Sequence, residues 1–154
     1  MKGVLRISEA ASLALHTMVY IAGDDGLRHP ASKIAPAICV SEAHLAKVLQ
    51  RLVRAGLLES RRGPRGGFRL ARRRDEVTLL EVFEAIDGRY EPEACLMRDR
   101  SCGQLGCLFG DLLRTVNEEV RSYFEGRTLE DVKWVYANAS DRERIKHETP
   151  DYHD

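Results

Sequence analysis

Residues 56–70, which run Gly-Leu-Leu-Glu-Ser-Arg-Arg-Gly-Pro-Arg-Gly-Gly-Phe-Arg-Leu, constrain this chain more than any other stretch. Gly63-Pro64-Arg65-Gly66-Gly67 can only be a turn: proline lacks the N–H that a ladder needs, and the glycines open backbone angles closed to other residues. Leu57-Leu58-Glu59-Ser60 before the turn and Phe68-Arg69-Leu70 after it read as the two strands of a hairpin. The tip and its flanks carry Arg61, Arg62, Arg65 and Arg69. A helix leads into this hairpin. Leu45, Val48, Leu49 and Leu52 form one stripe at helical spacing, Ser41 stands at the N-cap, and Gly56 stands where a helix C-terminal glycine belongs.

Upstream, Ser8 to Ala22 reads as a helix with Ser8 as N-cap and Ala11, Leu15, Met18 and Ala22 on one face. Glu9, Ser12 and His16 share another face. Gly23-Asp24-Asp25-Gly26 ends this helix. Ser32 then caps a short helix to about Ile38, and a turn at Cys39-Val40 leads to the helix that starts at Ser41. Two short helices joined by a tight turn form a helix-turn-helix. Followed at once by an arginine-rich hairpin, they outline a winged helix: mainly α, with a small two-stranded wing. The second helix is narrow enough for a major groove. The glycines of the tip, Gly66 among them, let backbone approach the sugar-phosphate chain.

The charge pattern supports this outline. The chain balances 24 Lys and Arg against 24 Asp and Glu, which taken alone argues against a nucleic-acid binder. The average conceals a segregation. From Lys47 to Arg74 there are ten basic residues and a single acid, Glu59, so this block carries +9 and the remainder −9. A solvated mixed-charge surface would intersperse the acids; a dense basic block contacts phosphate. The length of 154 residues suits one domain, or one small domain with an appended helix, and is too short for an α/β barrel. No run of about 18 apolar residues exists to span a membrane. The basic start, Met1 to Arg6, precedes an apolar stretch, but Glu9, Ser12, His16 and Thr17 interrupt it; it reads as a buried amphipathic helix, not an export signal. No Ser–His–Asp order, paired-carboxylate motif or phosphate loop points to an enzyme.

Thr78-Leu79-Leu80-Glu81 fits a capping box and opens a helix ending near Asp87-Gly88. Residues 91–103 read as an irregular loop. Leu105, Leu108, Leu112, Val116, Val120 and Phe124 then recur at helical spacing, widened by Leu113 and Tyr123; a helix this apolar after a complete small domain needs a partner, and a second copy is the natural one. Thr128 to Val135 reads as a short helix, and the tail after Asn138 as a loose polar segment. Cys95, Cys102 and Cys107 lie within thirteen residues, with six and then four residues between them. Clustered cysteines in a reducing compartment bind metal or sense redox state. Iron–sulfur ligation, a zinc site completed by a histidine, and three metal-free thiols all fit the residue types. Cys39, far from these three, is expected to be a small buried hydrophobe.

The Leu13-Ala14-Leu15-His16 to Ile21-Ala22 segment, the run from Gly56 to Phe68 and the spaced cysteines together resemble the IscR/NsrR family of bacterial winged-helix repressors. The resemblance spans roughly residues 5–135. It implies a cytoplasmic homodimer crossed by a long C-terminal helix, and an iron–sulfur cluster (2Fe–2S or 4Fe–4S) held by Cys95, Cys102 and Cys107. A histidine three residues after the last cysteine serves some members as fourth ligand; Gly110 stands there. Others use the first helix of the opposite subunit, where His16 occupies the histidine position and Ser12 the carboxylate position, with Glu9 as the runner-up to His16.

The same resemblance places Ser41, Ala43, His44, Ala46 and Lys47 at base edges, with Ala46 where some members carry a discriminating glutamate. His44 and Lys47 can donate to guanine or phosphate. Arg51 and Arg54 fit phosphates or solvent, Arg61, Arg62 and Arg65 fit the phosphates beside the wing, and Arg72-Arg73-Arg74 fits a solvated turn. The expected organisation is a DNA-binding domain over 1–88, a cysteine-bearing loop over 89–110, a dimerisation region over 104–138 and a polar tail over 139–154. The expected function is a repressor of double-stranded DNA targets whose affinity follows the cluster. The rivals are a metal-free regulator controlled by thiols or a partner, a zinc-binding regulator, and an electron carrier.

Overall fold

The computed structural model describes residues 7–24, 26–91, 109 and 111–136. Cys95, Cys102, Cys107 and Gly110, and the tail from residue 137 on, lie outside the described residues. The order is α1 (Glu9–Gly23), α2 (Ala31–Ala37), α3 (Glu42–Arg54), β1 (Leu58–Arg61), β2 (Gly67–Leu70), α4 (Leu79–Asp87), α5 (Leu112–Gly126) and α6 (Leu129–Val132), closed by a 3-10 turn at Lys133–Tyr136. This is a mainly helical winged-helix fold.

Local chemistry sets the helix starts. The Ser8 hydroxyl accepts from Ala11 N–H and donates to Asp87 at 2.6 Å, so the cap of α1 is also tied to the end of α4. Ser41 Oγ accepts from His44 N–H, and Thr78 and Glu81 form the expected capping box. The start of α2 differs from the sequence expectation: the helix begins at Ala31 with Pro30 at the cap, not at Ser32. Proline's fixed φ favours a helix entry, so it takes the position without a side-chain hydrogen bond. Gly56 ends α3 at φ +73°, the left-handed value glycine adopts without strain.

Helix α1 is the spine of the core. Ala11, Ala14, Met18, Ile21 and Ala22 are buried against α3, which contributes Leu45, Val48, Leu49 and Leu52, and against Val82, Phe83 and Ile86 of α4. Full burial of one such leucine contributes about 1.5–3 kcal/mol. The chain returning after α5 enters the same core. Leu129 is fully buried, its N–H bonds to Val77 O, and Leu79 N–H bonds to Arg127 O. The 3-10 turn packs on α1.

Two carboxylates anchor this frame electrostatically. Partial burial pushes the Glu81 carboxyl up, but the Arg72 guanidinium and the Thr78 backbone N–H outweigh it and hold Glu81 below its ordinary value of 4.5. Glu130 is held low by Lys133 and then Arg74. A carboxylate whose pKa is depressed on folding stabilises the fold above its unfolded pKa and loses that contribution as pH falls through the folded value. Thermal melts followed from pH 7 downward are therefore expected to show stability declining below the ordinary carboxylate pKa, and less steeply for Glu81→Gln. Equal slopes would refute the assignment.

Candidate nucleic-acid interface and adjoining cleft

The wing is a two-stranded antiparallel ribbon with Leu58 opposite Leu70, Glu59 opposite Arg69, Ser60 opposite Phe68 and Arg61 opposite Gly67. It is seated on the segment before α2: His29 N–H donates to Phe68 O at 2.8 Å and Phe68 N–H to His29 O at 2.9 Å. Gly67 permits this seating, and Gly66 permits the tight turn at the wing's tip. A Cβ on Gly67, whose φ is +133°, would lie 2.7 Å from the His29 carbonyl carbon and oxygen, and a Cβ on Gly66 would lie 2.2 Å from Arg61 O. Both obstacles are backbone and cannot rotate aside.

The structure sorts the basic block into two sets. Arg69 binds Glu59 at 2.8 Å, with Arg28 on the same carboxylate at 3.5 Å; Arg72 binds Glu81 at 2.7 Å; and Arg73 binds Asp75. Arg74 pairs with Glu130 and donates to Ala22 O at 3.2 Å. Arg72 and Arg74 are thus structural, where the sequence suggested a solvated turn. Arg51 donates to Ile86 O in the last turn of α4, where a cation meets the helix dipole favourably. The other cations of the block, Lys47 and Arg54 on α3 and Arg61, Arg62 and Arg65 on the wing, are exposed and have no ion-pair partner among the described residues. Their charge is available to a polyanion.

On α3, Ser41, Ala43, Ala46 and Lys47 are exposed opposite the buried leucine stripe, and Gln50 extends their face by one turn. Sequence reading passed over Gln50, although its spacing from Ala43 and Lys47 places it on this face. Ser41 Oγ accepts one hydrogen bond in the cap and keeps its hydroxyl hydrogen to donate. His44 is half-buried and turned toward α1, with Nδ1 3.8 Å from Glu9 Oε1.

That orientation places His44 in a cleft of about 190 Å³ lined by Glu9, Ser12, Leu13 and His16 of α1, Ile38 and Val40, and Tyr136. Glu9, Ser12 and His16 share this face as their spacing requires. Residues read separately for sensing and for DNA thus line one cavity. His16 is exposed, and its Nδ1 lies 2.6 Å from Tyr136 Oη. Burial and then Cys39 push the Tyr136 hydroxyl pKa up. Cys39 corrects an expectation: it is exposed, not buried. It occupies the tight turn at φ +58°, and its side chain leaves the core there.

A helix-turn-helix whose second helix and adjoining wing carry the unpaired cations defines a winged-helix DNA-binding protein. The chain belongs to the Rrf2 family, described as iron-dependent transcriptional regulators, whose model matches residues 7–133. Protein aau3 of Rhizobium meliloti is 31% identical over 134 residues, covering 83% of this chain and 84% of that one. The helix-turn-helix-type transcriptional regulator IscR of Aliivibrio salmonicida is 30% identical over 118 residues, 75% and 70% of the two chains. Among solved structures, CymR, the global cysteine regulator of B. subtilis, superposes with a TM-score of 0.72 at 24% identity, over 87% of this chain and 99% of that one. None of the helices among the described residues is long and apolar enough to cross a membrane.

Proposed function

We propose that the protein is a homodimeric, cytoplasmic repressor whose affinity for double-stranded DNA is set by an iron–sulfur cluster on Cys95, Cys102 and Cys107, completed by His16 of the opposite subunit. The observation that carries this reading is His16 itself. It is exposed on the rim of a cleft, and its Nδ1 is already engaged by Tyr136, which leaves Nε2 as the free ring nitrogen. A ligating histidine is characteristically oriented by a partner on its other nitrogen. No group of three or more His, Cys, Asp or Glu that could hold a metal assembles among the described residues, and the three cysteines, which lie outside them, are the ligands assigned to the centre in this reading. Soft thiolates with one imidazole suit iron–sulfur ligation. When bound, such a cluster supplies a reversible response to oxidants, nitric oxide or iron–sulfur status.

The dimer is supported by α5, which leaves Leu112 and Tyr123 exposed on one face while Leu113 and Phe124 pack inward. The contacts assigned to DNA are Ser41, His44, Lys47, Arg51, Arg61, Arg62, Arg65 and Gly66. Three of these already have a place within the fold: Arg51 donates to Ile86 O, Ser41 caps α3, and His44 is turned toward Glu9 in the cleft. Anaerobic reconstitution with ferrous iron and sulfide is expected to give a coloured protein with visible absorption. A colourless product without bound iron would overturn the cluster.

The second reading is a metal-free regulator controlled by thiol oxidation. The exposed thiol of Cys39, in the turn that enters α3, favours it. Cys102→Ser separates the two. Redox-responsive DNA binding that survives in a protein never loaded with iron supports the thiol reading; a response lost together with iron supports the cluster.

A further inference from the structure

Four aromatic rings run from the cleft to the seat of the wing. His16 meets Tyr136 edge-on with centroids 5.9 Å apart, Tyr136 meets Tyr20 at 5.8 Å, and Tyr20 meets His29 at 5.4 Å. His16 and Tyr20 stand one turn apart on α1. Tyr136 arrives from the far end of the described chain, and His29 from the segment before α2. The row ends on the backbone that holds the wing, because His29 exchanges two hydrogen bonds with Phe68 and lies directly under Gly67.

The two ends of the row are anchored differently. At the cleft the anchor is polar and short, the 2.6 Å bond between Tyr136 Oη and His16 Nδ1. At the wing the His29 ring is buried and its Nε2 has no hydrogen-bond partner among the described residues. That nitrogen gives the ring no polar restraint, and the edge contact with Tyr20 helps decide where it sits. A displacement that starts at Tyr136 therefore meets ring contacts as far as His29, and then the backbone pair that fixes the wing.

We propose that the His16–Tyr136–Tyr20–His29 row is the link by which engagement of His16 in the cleft changes the seating of the wing and hence the grip of Arg61, Arg62 and Arg65 on DNA. Tyr136 is the positioning residue at its head. The bond it makes with Nδ1 fixes the orientation of the imidazole, and any ligand that pulls His16 outward must either carry Tyr136 along or break that bond. Coupling between two sites of this kind typically amounts to about 5–150-fold in affinity. The proposal rests on the reading that the signal reaches His16, but the link is a property of the metal-free chain and can be tested there.

The test uses the full chain without metal and a labelled duplex of arbitrary sequence, about 30 base pairs long, at about 50 mM salt, where phosphate contacts dominate binding. His16→Phe and Tyr136→Phe both keep a ring and both delete the same hydrogen bond. Each is expected to weaken binding about fivefold or more, and the double variant no further than either single one. The backbone amide resonances of Gly67 and Phe68 are expected to shift in all three. Unchanged affinity with unmoved wing amides, or single effects that multiply in the double variant, would overturn the link. Uptake of iron and sulfide, assayed separately on the wild type, decides the cluster reading alone. A protein that takes up no iron yet shows the coincident single effects keeps the link and loses the cluster.

Discussion

Replacing Arg61, Arg62 and Arg65 together with alanine is expected to weaken binding to every duplex, whatever its sequence, and to flatten the salt dependence. These side chains sit on the wing with no ion-pair partner among the described residues, so a phosphate meets their full charge. Each phosphate neutralised contributes about −0.9 to the slope of log K against log salt, so three lost contacts remove about 2.7. Between 50 and 200 mM salt the wild type should then lose roughly 40-fold more affinity than the variant per protomer. With both copies of the proposed dimer engaged, that factor is squared. The matched control is Arg72→Ala with Arg73→Ala. It removes two cations from the same basic block, but these already face Glu81 and Asp75. A cation paired within the protein displaces few counterions from DNA, so this control should keep the wild-type slope. Fluorescence anisotropy titrations at four salt concentrations would measure both. Equal flattening by the two variants would show that net charge matters and the placement of the wing does not.

The parts of this molecule legible in the sequence were those governed by neighbours along the chain. Ser8, Ser41 and Thr78 cap helices within three residues of themselves, and the glycine-proline-glycine run turns within five, so local chemistry suffices to place them. The leucine stripe of α3 shows its period directly. Functional sorting of the arginines was not legible, because it depends on acids brought in from elsewhere: Arg74 meets Glu130 across 56 positions of chain, a pairing that no local pattern encodes. Tyr136 lies 120 residues from His16 and carries no motif of its own. The exposure of Cys39 has a related cause. An isolated cysteine favours the interior, but this one sits in the turn between α2 and α3, on the surface of the fold.

The second large effect concerns the wing's seat. Gly67→Ala is expected to lower affinity for DNA of arbitrary sequence at least tenfold, a level comparable to losing wing contacts, while leaving most of the helical core intact. Alanine at 67 faces two penalties that cannot both be relieved. Its φ of +133° is disfavoured for any residue with a Cβ, and that Cβ would press on His29 backbone atoms at 2.7 Å. Backbone strain of this kind costs of order 1–3 kcal/mol. Moving β2 away would break the two hydrogen bonds between His29 and Phe68, which are all that tie the ribbon to the segment before α2 by backbone pairing. The cheaper response is therefore a displaced or frayed wing, with Arg61, Arg62 and Arg65 carried out of register with the phosphates. The buried residues of α1, α3 and α4 do not include Gly67, so the melting temperature should fall far less than a core truncation would cause. Gly126→Ala is the opposite case. It ends α5, its Cβ would meet nothing within 4 Å, and no unusual φ is required. Alanine there should stabilise the fold by about 0.4–1 kcal/mol by restricting the unfolded chain, with no change in DNA affinity. Melting curves and anisotropy on the two variants separate wing seating from global stability. If Gly67→Ala binds DNA as the wild type does, the backbone contact with His29 is not what holds the wing in its reading position.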